Sequence, residues 1–281
     1  MIYLLLSILA SSLIYLCFKN IKKQGAHNFS VILTNYWVAG LTGIIIAWYM
    51  VPNTNITLTL LAFAAILGFA FITIFIVMSN TTQVHGVGTA SVASKMSVVI
   101  PVLVGLIAYQ ESLNTIKLIG LILALVSVYL VSYQKDKKKS AQWWLPAILF
   151  IGSGIIDTLL KKGQVLFHGN GLSYWLIPLI FMFAAIYGTA YGLFTKKLQL
   201  KPKEIKLGVT LGAVNYASIL FLILTLAQPT FESSAIFPIN NVGIVTLSAL
   251  FGFIIYKEKV TKHKLIGILL AIVATLLIGF N

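Results

Sequence analysis

Arginine is absent from this chain of 281 residues, cysteine occurs once, and the acidic residues number six. A single cysteine, Cys17, excludes an internal disulfide, and its place in an apolar run makes it a small hydrophobe. Charged residues form 9% of the chain and hydrophobic ones 59%, where a soluble domain carries about a quarter charged. That leaves too little polar surface to coat a water-soluble globule. Paired cysteines, a phosphate-binding glycine loop and a Ser-His-Asp order are also missing. The chain therefore reads as neither an enzyme nor a holder of a cofactor, and His85 and His168 have no second metal ligand at a suitable spacing. The net charge of +14 resembles that of a nucleic-acid binder, but the lysines lie in short connections between apolar runs, as the positive-inside rule describes.

What is present is a succession of long apolar segments. A helix needs roughly 20 apolar residues to cross a bilayer. Ten segments qualify: 1–18, 30–51, 58–78, 86–109, 115–133, 143–163, 172–194, 206–227, 233–256 and 263–280. Their connections are short and polar, and the alternation of a barrel strand is missing, so the spans are helical. The first run lacks a basic start and a small-residue cleavage site, and is read as a retained span rather than a signal peptide. Trp37, Trp48, Trp143, Trp144, Tyr174 and Trp175 fall near span ends, the place of interfacial aromatics.

The chain repeats itself. Tyr109–Val131 and Tyr256–Ile278, offset by 147, are identical at ten of 23 positions, among them Tyr109/Tyr256, Glu111/Glu258, Lys117/Lys264 and Gly120/Gly267. More weakly, Ser11, Tyr15 and Lys19 match Ser153, Asp157 and Lys161. The halves 1–140 and 141–281 thus hold five spans each, and an odd number obliges the second copy to enter the membrane upside down. The expected fold is all-α and integral to the membrane, ten transmembrane helices as two inverted five-helix repeats. Odd-numbered connections carry 16 lysines and even-numbered ones three, which places both termini outside.

Polar groups inside apolar spans are costly and mark function or pairing. Lys95 lies midway along span 4, with Ser91 and Ser94 on its helical face. It reads either as the cation that attracts an anionic group of a small-molecule substrate, or as a structural or neutralised lysine. Asp157 in span 6 is a proton-coupling carboxylate, a partner for Lys95, or half of an ion pair with Lys161. Asn240 and Asn241 in span 9 contact substrate or join helices. Pro101 and Pro238 free a backbone carbonyl in repeat-related spans, as helix interruptions at a midplane site do. Asn35, Tyr36, Asn215 and Tyr216 are weaker candidates, better explained by packing. Glu111 and Glu258 stand just ahead of the helix-capping positions Asn114 and Thr261 and read as structural.

Tyr109-Gln110-Glu111-Ser112-Leu113 with Gly120, and Tyr256-Lys257-Glu258-Lys259-Val260 with Gly267, close the two halves. With ten spans in two halves, this pattern resembles the EamA-like branch of the drug/metabolite transporter superfamily. The resemblance covers essentially the whole chain. It implies alternating access around a central cavity lined by both halves and makes transport the expected activity; family members include exporters of amino acids and other metabolites. With Lys95 as the attracting cation, the expected activity is export of an amino acid or other carboxylate-bearing metabolite across a bacterial-type inner membrane. Efflux of lipophilic cations through Asp157 is the alternative, and a membrane protein that carries nothing is the third. Family members are usually drawn with both termini in the cytoplasm, the reverse of the lysine distribution here.

Overall fold

The computed structural model describes residues 2–108, 114–133, 142–167, 171–226, 233–258 and 261–279, without the side chains of 108, 226 and 233–235. Every regular element among them is helical. Ten helices are long and apolar enough to cross a membrane: Ile2–Lys23, Asn28–Met50, Leu58–His85, Val87–Ile107, Thr115–Ser132, Trp144–Leu166, Leu172–Phe194, Pro202–Thr225, Ile236–Tyr256 and Lys262–Gly279. They are numbered as spans 1 to 10. The helix of span 3 runs on to His85, seven residues past the apolar run, and that of span 8 begins at Pro202. Polar residues extend these helices because the chain has no breaker until Gly86, and because Pro202 suits a first helical turn.

Two compact units account for the chain. One comprises Met1–Lys19, Val77–Ile155 and Ala217–Asn281; the other comprises Asn20–Ile76 and Ile156–Tyr216. They are not the halves 1–140 and 141–281, because each unit takes helices from both halves. In the first unit the most extensive contact is span 5 on span 10; in the second it is span 2 on span 7.

Span 5 packs antiparallel on span 10 through two glycines. A Cβ on Gly120 would meet Ile278, Leu277 and the Ala274 carbonyl at 2.9, 3.1 and 3.2 Å. A Cβ on Gly267 would meet Val131, the Ser127 carbonyl and Leu130 at 2.7, 3.0 and 3.1 Å. In membranes small residues let helix backbones approach in this way, since lipid offers no hydrophobic drive for helices to associate. Around this seam Val92, Met96, Leu121, Ala124, Val245, Ala271 and Ala274 form a buried core. Span 2 faces span 7 similarly: Gly40 and Gly43 lie against Met182 and Pro178, while Gly188 and Gly192 lie against Leu33 and Phe29.

Four of the six aromatics expected at span ends are solvent- or lipid-facing, with Trp48, Trp143, Trp144 and Tyr174 between 45% and 66% exposed. Trp37 and Trp175 differ. Trp37 sits in the body of span 2 and donates from Nε1 to Thr189 Oγ1 at 3.0 Å, and Trp175 is buried. Trp37 is thus not at a span end, and Trp175, though near the start of span 7 in sequence, is turned inward by helical rotation.

Candidate functional site in spans 4 and 9

Span 4 is not one continuous α-helix. Val87–Lys95 and Val99–Ala108 are joined by a 3-10 turn at Met96–Val98, so Lys95 is the last residue before the change of pitch. The local chemistry explains it. Pro101 has no N–H for the Ser97 carbonyl four residues back, and Ser97 Oγ donates to the Ser94 carbonyl at 2.5 Å, competing with the α-helical pattern. Lys95 and Ser94 are half-buried, while Ser91 and Ser97 are fully buried. Ser91 Oγ donates to the Gly88 carbonyl at 3.0 Å, and Ser153 of span 6 approaches Ser94 Oγ at 3.4 Å. Ser91 is thus spent on its own helix, and Ser94 remains beside Lys95.

In span 9 the amides behave differently from one another. Asn240 is 4% exposed, and its Oδ1 has no hydrogen-bond partner among the described residues. Asn241 is half-buried and lines a cavity of about 300 Å³ with Val98, Phe237, Pro238, Thr275, Ile278 and Gly279. Val98 is three residues beyond Lys95, so the cavity adjoins the break in span 4. The helix Ser233–Tyr256 continues through Pro238, correcting the expected interruption there. Pro238 stands in the second turn, where the missing bond would reach back only to the helix start. The expected interruption at Pro101 sits three residues past the 3-10 turn.

The weaker candidates lie elsewhere. Asn215 Nδ2 donates to Asn35 Oδ1 at 3.0 Å, and Asn35 is fully buried. Tyr36 donates to the Phe71 carbonyl at 2.9 Å, with its ring packed between Phe75 and Phe181. The Tyr216 ring lies against Gly43. All are in the second compact unit, none is among the residues that line the Asn241 cavity, and the bonds of Asn35, Tyr36 and Asn215 are those of helix packing. Asp157 is in the middle of span 6 on an exposed face, as is Lys161 one turn on.

A further polar cluster was not legible in sequence. Glu258 does not serve its own span 10, whose first turn is capped by Thr261 Oγ1 accepting from the Lys264 N–H at 3.3 Å. Its carboxylate instead accepts the Val87 N–H, at 3.2 and 3.1 Å to its two oxygens, at the N-terminus of span 4. It also pairs with Lys19 of span 1 at 2.7 Å. Beside it, Lys264 Nζ donates to the His85 carbonyl at 2.7 Å, and Thr89 Oγ1 donates to the Val131 carbonyl at 3.0 Å. A void of about 20 Å³ among Thr89, Glu258 and Lys264 has room for one water. Gly86 has φ +101°, and any Cβ there would overlap the Glu258 carboxylate, so this junction requires glycine. The one available signal was the repeated Tyr-x-Glu, which marks a residue without naming its partner. Its first copy, Tyr109–Leu113, lies outside the described residues, as do Lys259 and Val260.

No family model matches the chain. It is 27% identical over 212 residues to an uncharacterized protein of Haemophilus influenzae, a match spanning 74% of this chain and 72% of that one. A solved crystal structure shares its fold, with a TM-score of 0.65 at 12% identity over 99% of this chain and 96% of its own.

Proposed function

We propose that this chain is a secondary transporter of the EamA-like type in the drug/metabolite transporter superfamily. Its cargo is a small carboxylate-bearing metabolite, moved out across a bacterial inner membrane by alternating access. One observation carries the reading: within apolar spans, a half-buried lysine stands at a break in its helix, and Val98, three residues on, lines a cavity edged by an amide. A cation at that depth is costly unless it does electrostatic work. Lys95 attracts the carboxylate, Ser94 and Asn241 orient the cargo, and Asp157 is the candidate for proton coupling.

The inverted repeat is part of the same proposal. It is supported by the reciprocity of the seam between spans 5 and 10. Gly120 meets residues 274, 277 and 278; Gly267 meets 127, 130 and 131; each member differs from its counterpart by the sequence offset of 147. Antiparallel helices exchanging identical contacts are related by a two-fold axis perpendicular to their length, which in a bilayer lies in the membrane plane.

Proteoliposomes test it. Counterflow of radiolabelled amino acids and short monocarboxylates is expected to be saturable and to fall at least tenfold in Lys95→Ala. Undiminished transport in that variant removes Lys95 from the mechanism. Lipophilic-cation efflux is the second reading, favoured by the carboxylate of Asp157 in the middle of span 6. It requires Asp157→Asn to abolish cation transport while Lys95→Ala does not.

A further inference from the structure

We infer that the cavity lined by Asn241 receives the apolar part of the cargo, and that its walls set the size of what is carried. This rests on reading the chain as a carboxylate carrier and adds to it a specificity pocket. The volume, about 300 Å³, is roughly twice that of a protein cavity known to hold one benzene ring. Val98, Phe237, Pro238 and Ile278 make its walls apolar, and Gly279 lies so close to Pro238 that any side chain there would overlap the ring. Of its two polar side chains, Thr275 is committed, donating to the Ala271 carbonyl at 2.8 Å. The Asn241 amide forms no hydrogen bond among the described residues and is the polar mark on the wall.

Position supplies the chemical class. In a 3-10 turn residues three apart eclipse each other and rise about 2 Å per residue. Val98, which lines the cavity, closes that turn, and Lys95 stands just before it, one turn or about 6 Å back along the helix. A carboxylate held at Lys95 has its apolar body directed past Val98 into the cavity, with Asn241 beside it for a hydrogen-bonding substituent. The cargo is a monocarboxylate bearing a bulky apolar group. Short polar acids would leave the pocket empty, and dicarboxylates would set an unpaired charge against the apolar side chains of Val98 and Ile278.

The experiment measures dissociation constants and uptake of straight-chain acids from acetate to palmitate on the purified protein, in nanodiscs and in proteoliposomes. Affinity for the acids is expected to rise about fourfold per methylene, then level off at a definite length. Val98→Phe shortens that length and Phe237→Ala extends it. Should Val98→Phe fail to fold, the extension in Phe237→Ala decides alone. Lys95→Ala weakens every acid by a common factor and leaves the increment per methylene intact. If acids bind and are transported but neither wall variant moves the cut-off, the pocket assignment is wrong and the carrier reading stands. If acids bind and the gain continues without a cut-off from octanoate through palmitate, the cavity is a groove for bilayer acyl chains, and the assignment is overturned. If no acid binds or is carried, the carrier reading itself falls.

Discussion

Glu258 and Asn35 meet the cost of a polar group inside a membrane protein in different ways. Asn35 finds another amide, Asn215, and the pair joins two helices. Such bonds are worth about 1 kcal/mol in membrane proteins. Asn35→Ala is expected to lower unfolding free energy by about that much, measured by denaturation in mixed micelles, and to leave transport within twofold of the parent. Glu258 instead holds a helix N-terminus and a lysine at once. Losing a hydrogen-bonded charge leaves buried donors unmatched, at about 2 kcal/mol. Glu258→Ala should therefore destabilise by about 2 kcal/mol, and Glu258→Gln, which can still accept the Val87 N–H, by about half of that. Equal losses in the two variants would mean that only the Lys19 pair matters. Lys95 is expected to behave in the opposite sense to Asn35, with substitution costing transport and little stability.

Elements owe their shape to a few backbone decisions. Span 4 changes pitch where Pro101 and Ser97 both deny the α pattern, whereas span 9 absorbs Pro238 near its start without breaking. The two prolines looked alike in sequence because each stands in a repeat-related span; what separates them is distance from the helix N-terminus. Spans 5 and 10 meet where glycine removes the side chain that would hold them apart. Gly120→Leu and Gly267→Leu should each destabilise by about 2 kcal/mol through overpacking. Because the contacts are reciprocal, the two losses should agree within about 0.5 kcal/mol in the same unfolding assay. A large inequality would mean that the two ends of the seam are not equivalent.

For the whole molecule, sidedness is the testable property. With an odd-loop cytoplasmic face, Lys196 lies inside the cell and Asn53 outside, and both side chains are exposed. In a Cys17→Ala background, a membrane-impermeant maleimide added to intact cells should label Asn53→Cys within minutes and Lys196→Cys only after lysis. The reverse pattern would place both termini in the cytoplasm. Labelling of both from one side would break the count of spans between them.

Hydrocarbon thickness alone demands about 20 apolar residues per crossing, so the ten helices were readable from composition along the chain, although polar residues carry the helices of spans 1, 3 and 8 well beyond their apolar runs. The Asn114 cap was readable too, because an N-cap acts within three residues of itself. Partnership was not. Spans that are apolar all round carry no stripe to say which neighbour each face meets, and the compact units cut across the halves that the repeat defines. Glu258 at the start of span 4, Trp37 against Thr189 and the cavity beside Val98 all join residues far apart in sequence. Burial and hydrogen bonding act through space, and only folding brings those groups within their reach.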